Sequence, residues 1–349
     1  MEMEMDTETE TGAGVGEMEM MGLDDGMGLD FQSVEELQAG GVSATDVKKL
    51  VAGGYMTVQS IVMATMKRLC EVRGVSEAKA GKIKDAAEAI CAKGNRFMTG
   101  TKALEEREAV IRITTGASSL DELLGGGIET MSITEVFGEA RMGKTQLCHT
   151  LAVGVQLGLD CGGAGGKAIV IDTEGTFRPE RIVQIAERYG LNPEEVLENI
   201  YVCRAFSHEQ QAELLVKAAG IMADDGNIKL LIVDSLTGLF RTDFVGRGQL
   251  AERQQTLNLM LSRMSKIASE FNVAVFVTNL VVANPDGMSF APSMKAVGGH
   301  VVAHASTVRL SVRKGRGSAR VVKVYQSPCL GEGDAVVEIG EGGVVDCVE

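Results

Sequence analysis

A pair of glycines closed by a lysine and a threonine constrains this chain more than any other feature. The run is Gly138-Glu139-Ala140-Arg141-Met142-Gly143-Lys144-Thr145, and it meets the pattern G-x-x-x-x-G-K-[ST] without a gap. The apolar stretch Ser132–Phe137 before it predicts a strand, and Lys144 to Gln156 after it predicts a helix. A strand, a glycine loop and a helix N-terminus are what is needed to wrap backbone amides around phosphate oxygens. Gly138 and Gly143 allow close approach, Lys144 is placed to reach the β- and γ-phosphates, and Thr145 to put its hydroxyl on Mg²⁺. The expected cofactors are ATP and Mg²⁺, with Gly138 to Thr145 as the nucleotide-binding stretch.

Two acids fit the same chemistry. The apolar run Leu230–Val233 ends in Asp234-Ser235, which predicts a strand with Asp234 in the Mg²⁺ shell. Ala168–Ile171 ends in Asp172-Thr173-Glu174-Gly175, and Glu174 is placed to polarise an attacking water. A solvated turn is the plainer reading for Asp172. Ligands in open α/β sheets bind at the carboxyl ends of strands, where all these residues fall.

The pattern from residue 113 onward alternates apolar strands with amphipathic helices. Predicted strands are Ser132–Phe137, Ala168–Asp172, Asn199–Arg204, Leu230–Asp234, Val273–Asn279, Thr307–Val312, Val321–Tyr325 and Ala335–Ile339. The first five are read as buried on both faces, and the last ones as antiparallel pairs. A long helix from Leu250 to Phe271 places Leu250, Leu257, Met260, Leu261, Met264, Ile267 and Phe271 on one face. The fold class is α/β, a mostly parallel sheet with helices on both faces.

The remaining chain divides into three. Residues 1–30 repeat Met, Glu, Gly, Asp and Thr and are expected to be a disordered acidic tail. Residues 31–92 read as a small helical unit, with helices near Val34–Ala39, Ala44–Ala52 and Val58–Met63 and a fourth capped by Ser76. The turn before Ser76 makes a helix hairpin, either a DNA-contacting one or an ordinary packing module. Residues 93–112, with Lys93-Gly94-Asn95-Arg96 and the charges of Glu105–Glu108, read as a linker, and 113–349 as the ATP-binding core.

Net charge is −14, but the acidity belongs to the ends. Residues 1–30 hold ten acids and residues 331–349 hold six, neither with any Lys or Arg, which leaves residues 31–330 at +2. Residues 295–323 hold seven bases and no acid, a patch able to neutralise phosphates, with Lys295 and Arg313 as candidate contacts. Seven scattered cysteines without a C-x-x-C pair read as free thiols in a reducing compartment. No signal peptide or membrane span is legible, so a cytoplasmic or nuclear protein is expected. His300 and His304 have the spacing of a helical zinc pair, but no acid lies between them and no third ligand is near, so zinc is not expected.

Together these stretches resemble one family, the RecA/RadA-type strand-exchange recombinases, over about residues 30 to 349. The resemblance rests on Gly125-Gly126-Gly127-Ile128-Glu129, the phosphate loop with Gln146, Asp172-Thr173-Glu174-Gly175-Thr176-Phe177-Arg178-Pro179, Gly246-Arg247-Gly248, Ala303-His304-Ala305-Ser306 and Arg313-Lys314-Gly315-Arg316-Gly317. They are specific for the eukaryotic branch. Leu239-Phe240-Arg241, Ala251-Glu252-Arg253-Gln254-Gln255 and Gly298-Gly299-His300 look like the meiotic type, while Ser327-Pro328-Cys329-Leu330 looks like the general radiation-sensitivity type. The resemblance implies a nuclear DNA-dependent ATPase that forms a helical filament, or a ring, on single-stranded DNA and exchanges strands with double-stranded DNA, assisted by mediators. It implies Glu174 as catalytic base and Arg241, Arg247 and Arg253 in or beside a first DNA loop. Residues 280–297 would form the second. His304 and Gln326 would lie at the subunit boundary beside the neighbour's ATP, and Phe97 to Gly100 would be the subunit-joining motif.

The chain departs from that family at several points. Ala140 and Met142 stand where Phe and Thr are usual, lining the loop without touching phosphate. Leu280 stands where the family has a glutamine thought to sense the γ-phosphate, and leucine cannot make that hydrogen bond. Gln326 and Gly331 replace an aspartate and a proline, Ser293-Met294-Lys295-Ala296 replaces Pro-Lys-Lys-Pro, and Gly100 replaces an alanine. These changes motivate a second reading, a divergent paralogue that binds ATP and assists another recombinase. A non-recombinase ATPase such as a hexameric motor leaves the helical unit and the Gly-Arg-Gly loop unexplained.

Overall fold

The computed structural model describes residues 32–91, 97–244, 246–283 and 294–347. The expected tail of residues 1–30 and most of the second DNA loop lie outside them, as does the Lys93–Arg96 run.

The helical unit is built as the capping residues dictate. A 3₁₀ turn, Val34–Gln38, precedes α1 (Ala44–Ala52), α2 (Val58–Val62), α3 (Met66–Glu71) and α4 (Glu77–Ile90). Ser43, Thr57 and Thr65 each accept an amide of the first turn of the helix they precede. Ser76 occupies the N-cap of α4 but makes no side-chain cap bond there. Gly74, at φ +84°, turns the chain between α3 and α4. Val47, Leu50, Ile61, Leu69, Ile83 and Ala87 form a core of their own.

The expected linker contains a helix, α5 (Gly100–Arg107), whose cap Thr99 accepts from Lys102 N. The Glu105–Glu108 charges therefore lie on a helix and at its end, not in an unstructured connection. Two short strands, β1 (Arg112–Ile113) and β2 (Ile128–Glu129), pair antiparallel around α6 (Ser118–Leu123).

The core is a nine-stranded sheet. In chain order its strands are β3 (Ile133–Gly138), β4 (Lys167–Asp172), β5 (Ile200–Arg204), β6 (Ile228–Asp234), β7 (Ala274–Asn279), β10 (Val308–Lys314), β11 (Arg320–Gln326), β12 (Asp334–Gly340) and β13 (Gly343–Asp346). Between β7 and β10 a separate hairpin pairs β8 (Val281–Ala283) with β9 (Met294–Ala296). The spatial order is β13-β12-β11-β10-β3-β7-β6-β4-β5. The run from β10 to β5 is parallel, and β10 through β13 are antiparallel neighbours.

Helices cover both faces, because alternate strand residues point to opposite sides. Val136, Val170, Ile232, Phe276 and Leu310 pack with α7 (Lys144–Gly154) and α8 (Pro179–Arg188), next to α9 (Pro193–Glu198). Ile169, Ile171, Leu231, Val233, Val275 and Val277 pack with α10 (His208–Asp224) and α12 (Leu250–Phe271). Two short helices, α11 (Gly238–Asp243) and α13 (Gly299–Ala305), follow β6 and β9.

Two expectations need correction. β5 is not buried on both faces: it is the sheet edge, and only Ile200 of its five residues is buried. An apolar run on an edge strand reads like a central one until its neighbours are known. Leu250 does not share the buried face of α12 and is exposed: it opens the helix, and the buried residues of that face begin at Leu257.

Candidate nucleotide and DNA site

β3 is buried throughout and delivers Gly138 to the sheet's carboxyl edge. A Cβ on Gly138 would sit 2.3 Å from Val312 O, so glycine is required for the close passage of β3 against β10. Arg141 at φ +64° and Gly143 at φ +98° fold the loop into a concavity of backbone amides that runs into the N-terminus of α7. A side chain on Gly143 would also strike Ile339 of β12. Ala140 is exposed, and Met142 packs on the apolar core beneath the loop. Lys144 lies back over the loop, with Nζ donating to Gly138 O at 2.9 Å and Glu139 O at 2.7 Å. Burial pushes its pKa down, against the opposing pull of Asp234 and Glu174.

The acids converge from neighbouring strand ends. Thr145 Oγ1 donates to Asp234 Oδ2 at 2.7 Å, and Thr278 at the end of β7 donates to Asp234 Oδ1. Burial pushes the Asp234 carboxyl up, and the nearby Glu174 and Asp172 add to that. Asp172 is not a solvated turn residue. It is buried and accepts the amides of Glu174, Gly175 and Phe177 at 3.0, 2.7 and 3.0 Å, which sets the turn that presents Glu174. Ser235 Oγ donates to Glu174 Oε1 at 2.8 Å.

This donor set fits a magnesium-bound triphosphate. A buried lysine whose charge is disfavoured is relieved by an anion, and a cluster of carboxylates around a buried aspartate is relieved by a divalent cation. The two opposite needs are met within one loop-and-strand-end cluster.

Several side chains that hold this site went unread in the sequence. Thr278 and Ser235 are polar residues just inside or just past apolar runs, and only the strand order shows that both face Asp234 or Glu174. His149, buried on α7, accepts from Arg178 N at 3.2 Å and is pushed down to about 4 by burial and by Arg181, which keeps it neutral. Arg181 donates to Gln146 Oε1 at 2.7 Å and to the carbonyls of Gly340 and Glu341. The carboxamide oxygen of Gln146 is therefore engaged toward the β12–β13 hairpin.

A second buried network runs from β3 to the β8–β9 hairpin. Glu135 is fully buried and pairs with Arg309 Nε at 2.5 Å, and Arg309 lies against both the Phe137 and Tyr325 rings, which meet edge to face. Asn279 donates to Glu135 Oε1 at 2.6 Å and to Val297 O at 2.8 Å. Its Oδ1 accepts from Thr237 Oγ1 at 2.7 Å and from Leu280 N at 2.8 Å. Leu280 thus sits where β7 leaves the nucleotide side of the sheet for the hairpin, held through its backbone.

The candidate DNA residues fall into two places. Arg241 is exposed on α11, which starts just past Asp234-Ser235, and Arg247 begins the 3₁₀ turn Arg247–Gln249 before α12. Arg253 lies on the first turns of α12, half-buried, with Nε lacking a hydrogen-bond partner. Lys295 is exposed on β9, after the adjoining strand β7. These four follow β6 and β7. Arg313 is exposed on β10, on the far side of β3, and strand order separates it from them.

His304 is exposed on α13, stacked on His300 at 6.1 Å between ring centroids. Gln326 Nε2 donates to Ala303 O at 3.3 Å, which brings positions 304 and 326 to one neighbourhood. Phe97 is completely exposed, and Gly100 opens α5 with open space where a Cβ would be.

Comparison with known proteins shows the family. The Rad51 family profile matches residues 106–347, and a SAM-like helix-hairpin-helix tandem profile matches residues 32–89. Meiotic recombination protein DMC1 homolog B of Oryza sativa subsp. japonica is 53% identical over 317 residues, covering 90% of this chain and 91% of its own. The DMC1 homolog of Arabidopsis thaliana is equally similar, at 53% over 317 residues. The DNA repair protein RAD51 of Mycosarcoma maydis is 51% identical over 330 residues, 93% of this chain and 96% of its own.

Proposed function

Because the chain belongs to the Rad51 family, we propose that it is an ATP-dependent recombinase that assembles on single-stranded DNA and exchanges strands with a homologous duplex in meiosis. The observation that carries this reading is the shared strand end of β6. Asp234 closes that strand with its carboxylate on Thr145, and four residues later α11 begins and leads to Arg241 and Arg247. Nucleotide-facing and DNA-facing groups are thus joined by a few residues of one chain segment.

In this reading Gly138 to Gln146 hold the phosphates, Thr145 and Asp234 hold Mg²⁺, and Glu174 orients a water and accepts its proton. Bound ATP with Mg²⁺ would supply a γ-phosphoryl group open to hydrolysis. Ser235 and Asp172 keep Glu174 in place. Arg241, Arg247, Arg253 and Lys295 contact the DNA backbone, which suits binding without sequence preference. Homology is then read by base pairing. Arg313 serves a separate contact with DNA.

Residues 31–92 act as a DNA-contacting helical domain, and 93–112 as a linker that carries the subunit-joining Phe97 to Gly100. The edge strand β5, with Tyr201 and Val202 exposed, offers unpaired backbone for such joining. His304 and Gln326 face the next subunit's nucleotide in a helical filament. Mediators of recombination are expected partners, and the nucleus is the expected compartment. Among the described residues no helix is long and apolar enough to cross a membrane.

Electron microscopy of the purified protein on single-stranded DNA tests the reading. Regular filaments with ATP and none without nucleotide are expected. Failure to form them under any nucleotide condition would refute it.

A further inference from the structure

A wide cleft opens away from the phosphate loop. It lies between the helical unit and the core, spans about 660 Å³, and is walled by α3 on one side and α12 on the other. Lys67 and Arg68 enter it from α3, and Arg263 and Lys266 from α12. None of these four makes an ion pair among the described residues, although Lys266 Nζ donates to Met63 O at 2.6 Å. Burial pushes the Lys266 pKa down, and Arg68 and Lys84 press it further in that direction.

Two acids share the cleft, Glu71 and Glu270. Glu270 Oε1 is buried without a hydrogen-bond partner, and burial pushes the carboxyl up to about 8. At neutral pH it is largely protonated and neutralises little. The cleft therefore holds an excess of positive charge that nothing described balances.

The first residues of the chain have the opposite character. Residues 1–30 carry ten acids and no base, and alternate Met with Glu in Met1-Glu2-Met3-Glu4-Met5 and Glu17-Met18-Glu19-Met20. In an extended segment such alternation puts carboxylates on one side and thioethers on the other. The cleft offers both kinds of wall, since Val216, Leu259 and Phe271 line it together with the cations. The segment also enters the described structure next to the cleft. Gln32 O accepts from Val58 N, and Val34 N donates to the carbonyl of Met56, a cleft residue. Reach is no constraint, because thirty extended residues span about 100 Å.

We propose that the acidic N-terminal segment of this chain docks in the cationic cleft between its own helical unit and core, with carboxylates on Lys67, Arg68 and Arg263 and methionines on the apolar wall. The segment then ties the two units together and keeps these cations from DNA phosphates.

Zero-length carbodiimide cross-linking of the full chain, read by mass spectrometry in a mixture of isotopically light and heavy protein, tests this. Cross-links from residues 1–30 to Lys67 and Lys266 within one chain are expected, falling at least threefold in the double variant Arg68→Glu, Arg263→Glu and at 0.5 M salt. Arg263→Gln, at an exposed helix position, is the milder variant should the double one fail to fold, and it should lower the same cross-links. Cross-links that fall mainly on Lys295, Lys314 and Lys323, that join different chains, or that are unchanged in a folded variant would overturn the proposal.

Discussion

Thr145 and Asp234 are 89 residues apart in the chain, and the hydroxyl of the first donates to the carboxylate of the second at 2.7 Å. The contact joins the phosphate loop to the end of β6. In the proposed function Lys144 acts on phosphate, Glu174 on water, and Arg241 and Arg247 on DNA.

Lys144 and Glu174 should separate binding from hydrolysis. Lys144→Ala removes a buried cation, so ATP-dependent DNA binding should be lost, with nucleotide affinity lowered about 10- to 100-fold, the worth of one charge-assisted hydrogen bond. Glu174→Gln keeps the bond from Ser235 but cannot accept a proton. Hydrolysis should fall by about 10²–10⁴-fold, with nucleotide binding nearly unchanged. Parallel nucleotide-binding and phosphate-release assays decide between the two effects.

Leu280 stands at the exit of β7, beside Asn279, whose side chain reaches Glu135, Thr237 and Val297. A carboxamide at 280 would add a polar group on the path from nucleotide to hairpin. Leu280→Gln should raise the stimulation of hydrolysis by single-stranded DNA. An unchanged ratio of DNA-stimulated to basal rate would show that any signal from the γ-phosphate travels elsewhere than through residue 280.

Gly100 has open space at its Cβ position. Gly100→Ala adds a methyl to the proposed joining motif and removes a flexible residue from the first turn of α5. Self-association should tighten by about 0.8 kcal/mol per contact, near fourfold in dissociation constant, as read by sedimentation.

Glu270 makes stability fall as pH rises. Its pKa is near 4.5 in the unfolded chain and about 8 in the fold, so between those values the folded state holds a proton that the unfolded state has lost. Its contribution is most favourable below 4.5, declines up to about 8 and is flat above. Glu270→Gln should therefore raise the melting temperature by several degrees at pH 8 and change it little at pH 4. Equal shifts at both pH values would contradict the assignment.

Much of the fold was legible because periodicity reports burial. The strands of the core lie within one or two residues of the apolar runs that predicted them, and α12 spans the expected Leu250–Phe271. The edge position of β5 was not legible, since Ile200-Tyr201-Val202-Cys203 is apolar whichever side of the sheet it occupies. The final strand β13 is only Gly343–Asp346, too short to show alternation. At the site, Gly138, Gly143, Lys144 and Thr145 announce themselves by spacing. Thr278, Arg181 and His149 do not, because their partners are distant in sequence and only the packing of β7, α8 and α7 brings them in.

In the proposed function this one chain couples ATP to the exchange of DNA strands. A strand-exchange assay with the protein alone, a single-stranded circle and a homologous linear duplex tests it most directly. Joint molecules are expected with ATP, none without nucleotide and none with Lys144→Ala. Filaments that form normally with ATP yet yield no joint molecules would contradict it.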